Sequence, residues 1–427
     1  MKINSSVVTG IFLAVTLALG TGLAGCGTPS SGTSSSAASS IITISSPASS
    51  ASTFLSSNSS SVMSSTSAPS SGQTEITTGV LEDKNFGSVI IGLSLDEFNN
   101  AGFSFGDSVD VIFDNGYKLE DIPYYDGYYA RRGDAQIAGY PGYEHPYIAR
   151  TSSGSMWEET GVTENSKVTV RLREKGKYRV TEESFGTQYT NDRKDYNSDE
   201  AFANFRTFAA GDMKQNFFYR SASPIDNSYN RAEYASQLAE QAGIRYVLNL
   251  SDNEEEYMKD IANDSFSTDW YQNLYKSGNV QLLNLSADYG SDSFQKTLSE
   301  SIYAMTKSDG PVLIHCVEGK DRTGFACALI MALADASCDE ILNDYMITYD
   351  NYYGISKQSA SDKYDAIEQS KGYDILLYIL HQSNPDATDT DLKNASFKES
   401  AEAYLKNGGL NDAQINEIES FIRQSLS

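Results

Sequence analysis

One run of ten residues, His315-Cys316-Val317-Glu318-Gly319-Lys320-Asp321-Arg322-Thr323-Gly324, constrains this chain more than any other stretch. Asp309-Gly310-Pro311 makes a turn before it, and Pro311 to Ile314 reads as a short buried strand. After it, Phe325 to Leu333 is apolar enough for a buried helix. A strand, a tight loop and a helix in that order aim several backbone N–H groups and the positive end of a helix dipole at one point. Such a loop is built to hold a dianion. Cys316, at the base of the loop, would be held as a thiolate by the same field. A bare Cys-x5-Arg arises by chance in many proteins. The whole run between strand and helix is far more specific, and the reading it competes with is a buried cysteine in an ordinary crossover.

The surrounding half of the chain, from about Ser198 to Ser427, alternates strand and helix. Asn230 to Ala242 carries Tyr234 and Leu238 at helical spacing, Gly243 stops it, and Arg245 to Leu250 is a buried strand. Val280 to Leu285 is another strand. Phe294, Leu298, Ile302 and Met305 share one face of a helix. Ser337 with Glu340, and Asn411 with Gln414, cap later helices, while Ile415, Ile418 and Ile422 face inward. Repeated βα units with short connections predict an α/β fold, a mainly parallel sheet flanked by helices.

The preceding segment reads as a small, mostly-β domain. Phe86 to Ile91 and Val109 to Phe113 are strand-like, Asn115-Gly116 is a hairpin signal, and Val168 to Leu172 alternates apolar with polar. Asp96 to Ala101 suggests one short helix. Over roughly residues 80–150 the segment faintly resembles the small β-barrel domain of enzymes that hydrolyse S-adenosylmethionine. It shares no sharp motif with them and carries over none of their residues. Its oddity is Tyr124-Tyr-Asp-Gly-Tyr-Tyr129 followed by Arg131-Arg132. This run either stacks on a ligand with two cations for a carboxylate or phosphate, or packs its tyrosines against the neighbouring domain. Packing is the favoured reading, and the partner of this β domain is unknown.

The run from His315 to Gly324 resembles the phosphate-binding loop of cysteine-dependent phosphatases. Its Gly-Lys-Asp-Arg version is similar to that of the bacterial secreted tyrosine and dual-specificity phosphatases, which include members active on phosphoinositides. Asn204-Phe-Arg206, Tyr219-Arg-Ser-Ala222 and Ala401 to Leu410 look like further landmarks of that family. Thr207 to Gly211 replaces the usual Asp-Leu-Gly-Gly, and Ser251 stands where an arginine is common. These departures leave the chemistry intact and bear on substrate contacts.

The resemblance implies a cysteine-dependent phosphoric monoester hydrolase without cofactor. Cys316 would attack phosphorus and form a phosphocysteine. Arg322 would grip two oxygens with its planar fork, and the amides of Val317, Glu318, Gly319, Lys320, Asp321 and Arg322 would hold the rest. Thr323 would donate to the sulfur. His315 either orders the loop or takes part in proton transfer, and ordering is favoured. The general acid is Asp321 inside the loop or, alternatively, Asp288 or Asp292 after the strand ending at Leu285. Asp321 is favoured. Lys320 suits a second phosphate, whereas Glu318 at the mouth would repel polyanions.

Three functions remain open on these residues. They are a phosphatase for phosphotyrosine (with phosphoserine and phosphothreonine as further substrates), an inositol phosphate or phosphoinositide phosphatase, and a non-catalytic surface module that binds phospholigands. A sulfur-transfer enzyme fits Arg322 and the Thr-Gly pair poorly. The scattered histidines, His145, His315 and His381, predict no metal site.

Residues 1–25 read as a lipoprotein signal peptide, because Lys2 precedes an apolar stretch and Leu23-Ala24-Gly25-Cys26 resembles the lipobox of bacterial lipoproteins. Cys26 would carry lipid and be the chain's only link to the membrane of an exported protein facing the exterior. Residues 26–74 form a serine-rich flexible linker, with 75–181 the β domain and 182–427 the catalytic one. Cys327 and Cys338 are expected as buried thiols rather than partners in a disulfide. A formal net charge of −25 argues against nucleic acid and against adhesion to anionic membrane.

Overall fold

The computed structural model describes residues 74–151, 154–262 and 265–423. The expected signal peptide, Cys26 and the serine-rich stretch to residue 73 lie outside the described residues. Among the described residues no helix is long and apolar enough to cross a membrane.

The first seven strands close into a barrel: β1 (Glu75–Glu82), β2 (Val89–Ile91), β3 (Ser108–Phe113), β4 (Lys118–Tyr125), β5 (Ala135–Ala138), β6 (Tyr147–Arg150) and β7 (Lys167–Glu174). Their order around the barrel is β1-β2-β6-β5-β4-β3-β7, and every pair is antiparallel except β4–β5. Alternation explains the inside: Val109, Val111 and Phe113 of β3 and Val168 and Val170 of β7 are buried, while Asp110, Ile112, Lys167, Thr169 and Arg171 between and beside them are more exposed. The expected helix is Leu95–Asn100, started by a capping box between Ser94 and Glu97, and its Phe98 stacks on Phe103 at 4.5 Å. The strand expected from Phe86 begins only at Val89. Asp83 to Gly87 is a turn, with the Gly87 amide bonded to the Asp83 carbonyl at 2.7 Å, and Phe86 is left exposed.

The second half is a five-stranded sheet of β8 (Arg206–Thr207), β9 (Phe218–Ser221), β10 (Tyr246–Asn249), β11 (Val280–Leu282) and β12 (Val312–His315), in the order β11-β10-β12-β9-β8. All pairs are parallel but β8–β9. The predicted mainly parallel sheet flanked by helices is therefore present. Asn249, His315 and Ser221 lie level across three strands, so β10, β12 and β9 end together where the connections diverge, the usual place for a site in an open α/β sheet. The helix Asp321–Leu333 follows β12 and is buried at every position from Thr323 to Leu333. Each large apolar side chain there contributes roughly 1.5–3 kcal/mol. β11 stops three residues short of expectation because Asn284 takes a left-handed φ of 45°, which asparagine tolerates.

The tyrosine–arginine run divides: Tyr124 is buried in the barrel core, Tyr128 is exposed, and the rest reaches toward the neighbouring half. Tyr129 stacks on Phe185 at 5.0 Å. The two arginines do not wait for a ligand: Arg131 pairs with Asp389 at 2.7 Å and Arg132 with Asp288 at 2.5 Å, both across the seam with the α/β half.

Candidate active site

The loop from Cys316 to Lys320 has its backbone turned inside out. Each carbonyl is bonded to a group behind it. Val317 O accepts from the Ser223 amide at 3.0 Å, and Glu318 O accepts from the Tyr352 hydroxyl at 2.7 Å. Gly319 O accepts from Arg220 Nη2 at 2.8 Å and Asn204 Nδ2 at 3.0 Å, and Lys320 O accepts from the Gly324 amide at 2.8 Å. Among the described residues the amides of 317–320 meet no acceptor. The first turn of the helix Asp321–Leu333 adds its own unbonded amides. These donors, with the helix dipole behind them, make a cradle of the kind that can hold an anion. Gly319 is required at its bend: φ is +69°, and a Cβ there would overlap the Ser221 carbonyl.

A buried charge network holds that bend. Arg220 is fully buried and donates to Asp344 Oδ2 at 2.5 Å, while Arg206 Nε reaches Asp344 Oδ1 at 3.1 Å. Burial pushes the Asp344 carboxyl upward, but Arg220 and Arg206 outweigh it and hold the group below the usual carboxylate range. Asn204 and Arg220, family landmarks in the sequence, thus reach the loop through one carbonyl.

Cys316 sits at the end of β12 with 4 % of its surface exposed. Arg322 is half-buried and anchored by its Nη1 to the Leu285 carbonyl at 2.9 Å, the carbonyl that the left-handed turn at Asn284 brings round. The Thr323 hydroxyl is buried with no partner among the described residues. His315 is fully buried, its Nε2 3.0 Å from the Tyr271 hydroxyl and its Nδ1 3.4 Å from the Cys316 carbonyl. Burial pushes its imidazole down to about 3, so it is neutral and orders the strand end.

The remaining predicted residues divide. The Asp321 carboxylate is 64 % exposed and 3.8 Å from Lys320 Nζ. Lys320 Nζ also donates to the Tyr353 hydroxyl at 3.3 Å. Burial pulls against the Lys320 ammonium, but Asp321 and Tyr353 outweigh it and hold it well above the usual lysine range. Asp288 is committed to Arg132 of the barrel. Asp292 is the first residue of the helix Asp292–Ala304. Glu318 does not stand bare at the mouth, because the Tyr189 hydroxyl donates to its carboxylate. Cys327 and Cys338 are free buried thiols, pushed up by burial to about 12 and about 11.

Several residues escaped the sequence reading: Tyr189, Arg231, Tyr271, Asp344, Tyr352 and Lys371. Arg231, almost fully buried, lies over the rings of Tyr352 at 4.5 Å, Phe202 at 4.8 Å and Tyr189 at 5.0 Å and donates to the Thr190 carbonyl at 3.3 Å and the Tyr196 hydroxyl at 3.0 Å. It pins the segment that joins barrel to sheet against the loop. The one available signal was the density of tyrosine, 28 in the chain, which names no position.

A family model described as the tyrosine phosphatase family matches residues 200–423. No curated protein matches the chain by sequence. Among solved structures, an uncharacterized conserved protein from Thermotoga maritima is 18 % identical over 25 % of this chain and 39 % of its own length, with a TM-score of 0.21. The core catalytic domain of the PP-IP phosphatase SIW14 from S. cerevisiae is 18 % identical over 42 % of this chain and 96 % of its own, with a TM-score of 0.23. TpbA from P. aeruginosa is 17 % identical over 48 % and 86 %, with a TM-score of 0.20.

Proposed function

Because the chain belongs to the tyrosine phosphatase family, and is by that membership a cysteine-dependent phosphatase, we propose that it hydrolyses phosphate monoesters through a phosphocysteine on Cys316. The observation that carries this is the inside-out loop between Cys316 and Arg322, whose carbonyls are all engaged while the amides of 317–320 meet no acceptor among the described residues. The Cys316 thiolate attacks phosphorus, and the bond to the ester oxygen breaks. Loop amides and the Arg322 fork carry the charge on the non-bridging oxygens. Asp321 gives its proton to the departing oxygen. Water then attacks the phosphocysteine, returning a proton to Asp321, and the sulfur leaves as thiolate with the Thr323 hydroxyl donating to it. The exposed Asp321 supports this assignment, as does the engagement of Asp288 with Arg132. Phosphotyrosine is the first substrate, reached between the tyrosine walls of the mouth. The protein acts outside the cell on a lipid anchor at Cys26.

The test is phosphate release by the full chain from phosphotyrosine, with Cys316→Ser and Asp321→Asn beside it. Cys316→Ser abolishes turnover. Asp321→Asn lowers it about 100-fold for phenyl phosphate, and far less for p-nitrophenyl phosphate, whose leaving group needs no acid. Turnover that survives Cys316→Ser overturns the proposal and leaves the loop a binding site.

A further inference from the structure

A cavity of about 360 Å³ opens beside the loop, between barrel and sheet. Lys320 and Asp321 line it from the loop, Tyr128 and Thr151 from the barrel, and Lys371 and Asp374 from the helical segment that follows Ile367. Its size lies in the range of small-ligand pockets.

Three observations make it more than a gap. Lys371 is half-buried, yet makes no hydrogen bond or ion pair among the described residues, and its ammonium lies 5.7 Å from the centroid of the Phe185 ring. The backbone places it there through a π-helical turn, Glu368–Gly372, a distortion common at functional sites. Gly372 seats that turn, since a Cβ there would come within 2.6 Å of Leu342 Cδ2. Finally, the Thr151 hydroxyl oxygen is sealed from solvent with no partner among the described residues.

The charges that face Lys371 are Asp374, Asp321, Lys320 and Arg132. Asp374 already accepts from the Tyr289 hydroxyl and the Arg132 amide, and Arg132 is paired with Asp288. What is left to meet a ligand is Lys371 and the Thr151 hydroxyl, in a cavity also lined by Lys320, which is paired with Asp321. Burial pulls the Lys371 ammonium below the usual lysine range, and a bound anion would reverse that shift.

We infer that this cavity is a subsite for a second anionic group of the substrate, carried next to the phosphate that Cys316 attacks, and that Lys371 selects for it. The substrate that fills it, in addition to phosphotyrosine at the loop itself, is a small molecule with neighbouring phosphates, either a free phosphorylated polyol or the same group on a lipid. The barrel is then part of the substrate site. The inference rests on the phosphatase reading above.

The test compares kcat/KM for inositol 1,4,5-trisphosphate, for dioctanoyl phosphatidylinositol 4,5-bisphosphate and for phenyl phosphate, using the full chain. The expected result is that Lys371→Met lowers the ratio of either polyphosphate to phenyl phosphate about tenfold, and that Lys371→Arg restores most of it. Thr151→Val, on the barrel and remote from the sheet core, lowers the ratio several-fold and covers the case in which Lys371→Met does not fold. A loss confined to the free or to the lipid substrate identifies the source of the second anion. Unchanged ratios for both overturn the inference. Absence of any turnover in wild type sinks the phosphatase reading instead. Calorimetry with inositol 1,4,5-trisphosphate then decides the subsite, and equal Kd in wild type and Lys371→Met overturns it.

Discussion

His315 should make the α/β half acid-sensitive in a way that one substitution exposes. Its imidazole is sealed against Tyr271, and burial pushes it down to about 3 from the ordinary 6.5. An unfolded chain takes up the proton near pH 6.5 and the folded one refuses it until near pH 3. Stability from this residue is therefore complete above pH 6.5, falls as pH drops through that window, and levels off below pH 3. At 1.36 kcal/mol per unit, the loss between pH 7 and pH 5 is about 2 kcal/mol. Wild type alone would hide part of it. Burial also pushes Asp260 up to about 7 and Glu182 up to about 8; these groups hold protons in the fold and gain stability over the same range. The quantity to measure is the difference between wild type and His315→Gln, in which the other groups cancel. Urea unfolding can be followed by the fluorescence of Trp270, which bonds to Ser236 within the α/β half at 2.6 Å, in chains whose Trp157 is replaced by Phe. The difference should shrink by about 2 kcal/mol from pH 7 to pH 5. A flat difference would mean that His315 accepts a proton in the folded protein, and the ordering role assigned to it would fail.

Asp344→Asn leaves two buried guanidiniums without their carboxylate and should destabilise the fold by about 3–5 kcal/mol, read from the urea midpoint. A loss under about 1 kcal/mol would show that water screens the network. Gly319→Ala forces a Cβ into the Ser221 carbonyl at a left-handed φ, so turnover should fall about 100-fold by misplacing the cradle. A near-normal rate in phosphate-release assays would refute the close approach. Tyr189→Phe frees the Glu318 carboxylate, so KM for a polyanionic substrate should rise several-fold at low salt and recover at high salt. A salt-independent KM would show that Glu318 points away from the mouth.

Much of this architecture was legible because it is local. The run from His315 to Gly324 announces strand, loop and helix through polarity and glycine placement, and the structure forms the strand to His315 and the helix from Asp321 with the loop between them. The capping boxes at Ser337 and Asn411 form as read. What stayed hidden depends on long-range pairing. No pattern links Arg220 to Asp344, or Arg132 to Asp288, because each pair meets only after the sheet and the barrel are assembled. Glu318 was read only in part for the same reason. Its charge was visible, while the Tyr189 hydroxyl that engages it comes from 129 residues earlier. Asn284 curtailed a strand that hydrophobicity alone would extend to Leu285, since the left-handed turn follows from its amide side chain rather than from apolar pattern.

The Arg231 cage bears on where this protein can be cut. The matched family region begins at residue 200, yet Tyr189, Thr190 and Tyr196, which surround the Arg231 guanidinium, lie upstream of that point. A truncated chain starting at residue 200 would retain every residue of the phosphate loop. It would also expose one flank of a cation that is now sealed, and take the hydroxyl off Glu318. The unit defined by sequence matching is thus smaller than the unit that is physically self-sufficient, and a shortened chain that proves inert would indict the place of the cut rather than the chemistry of the loop.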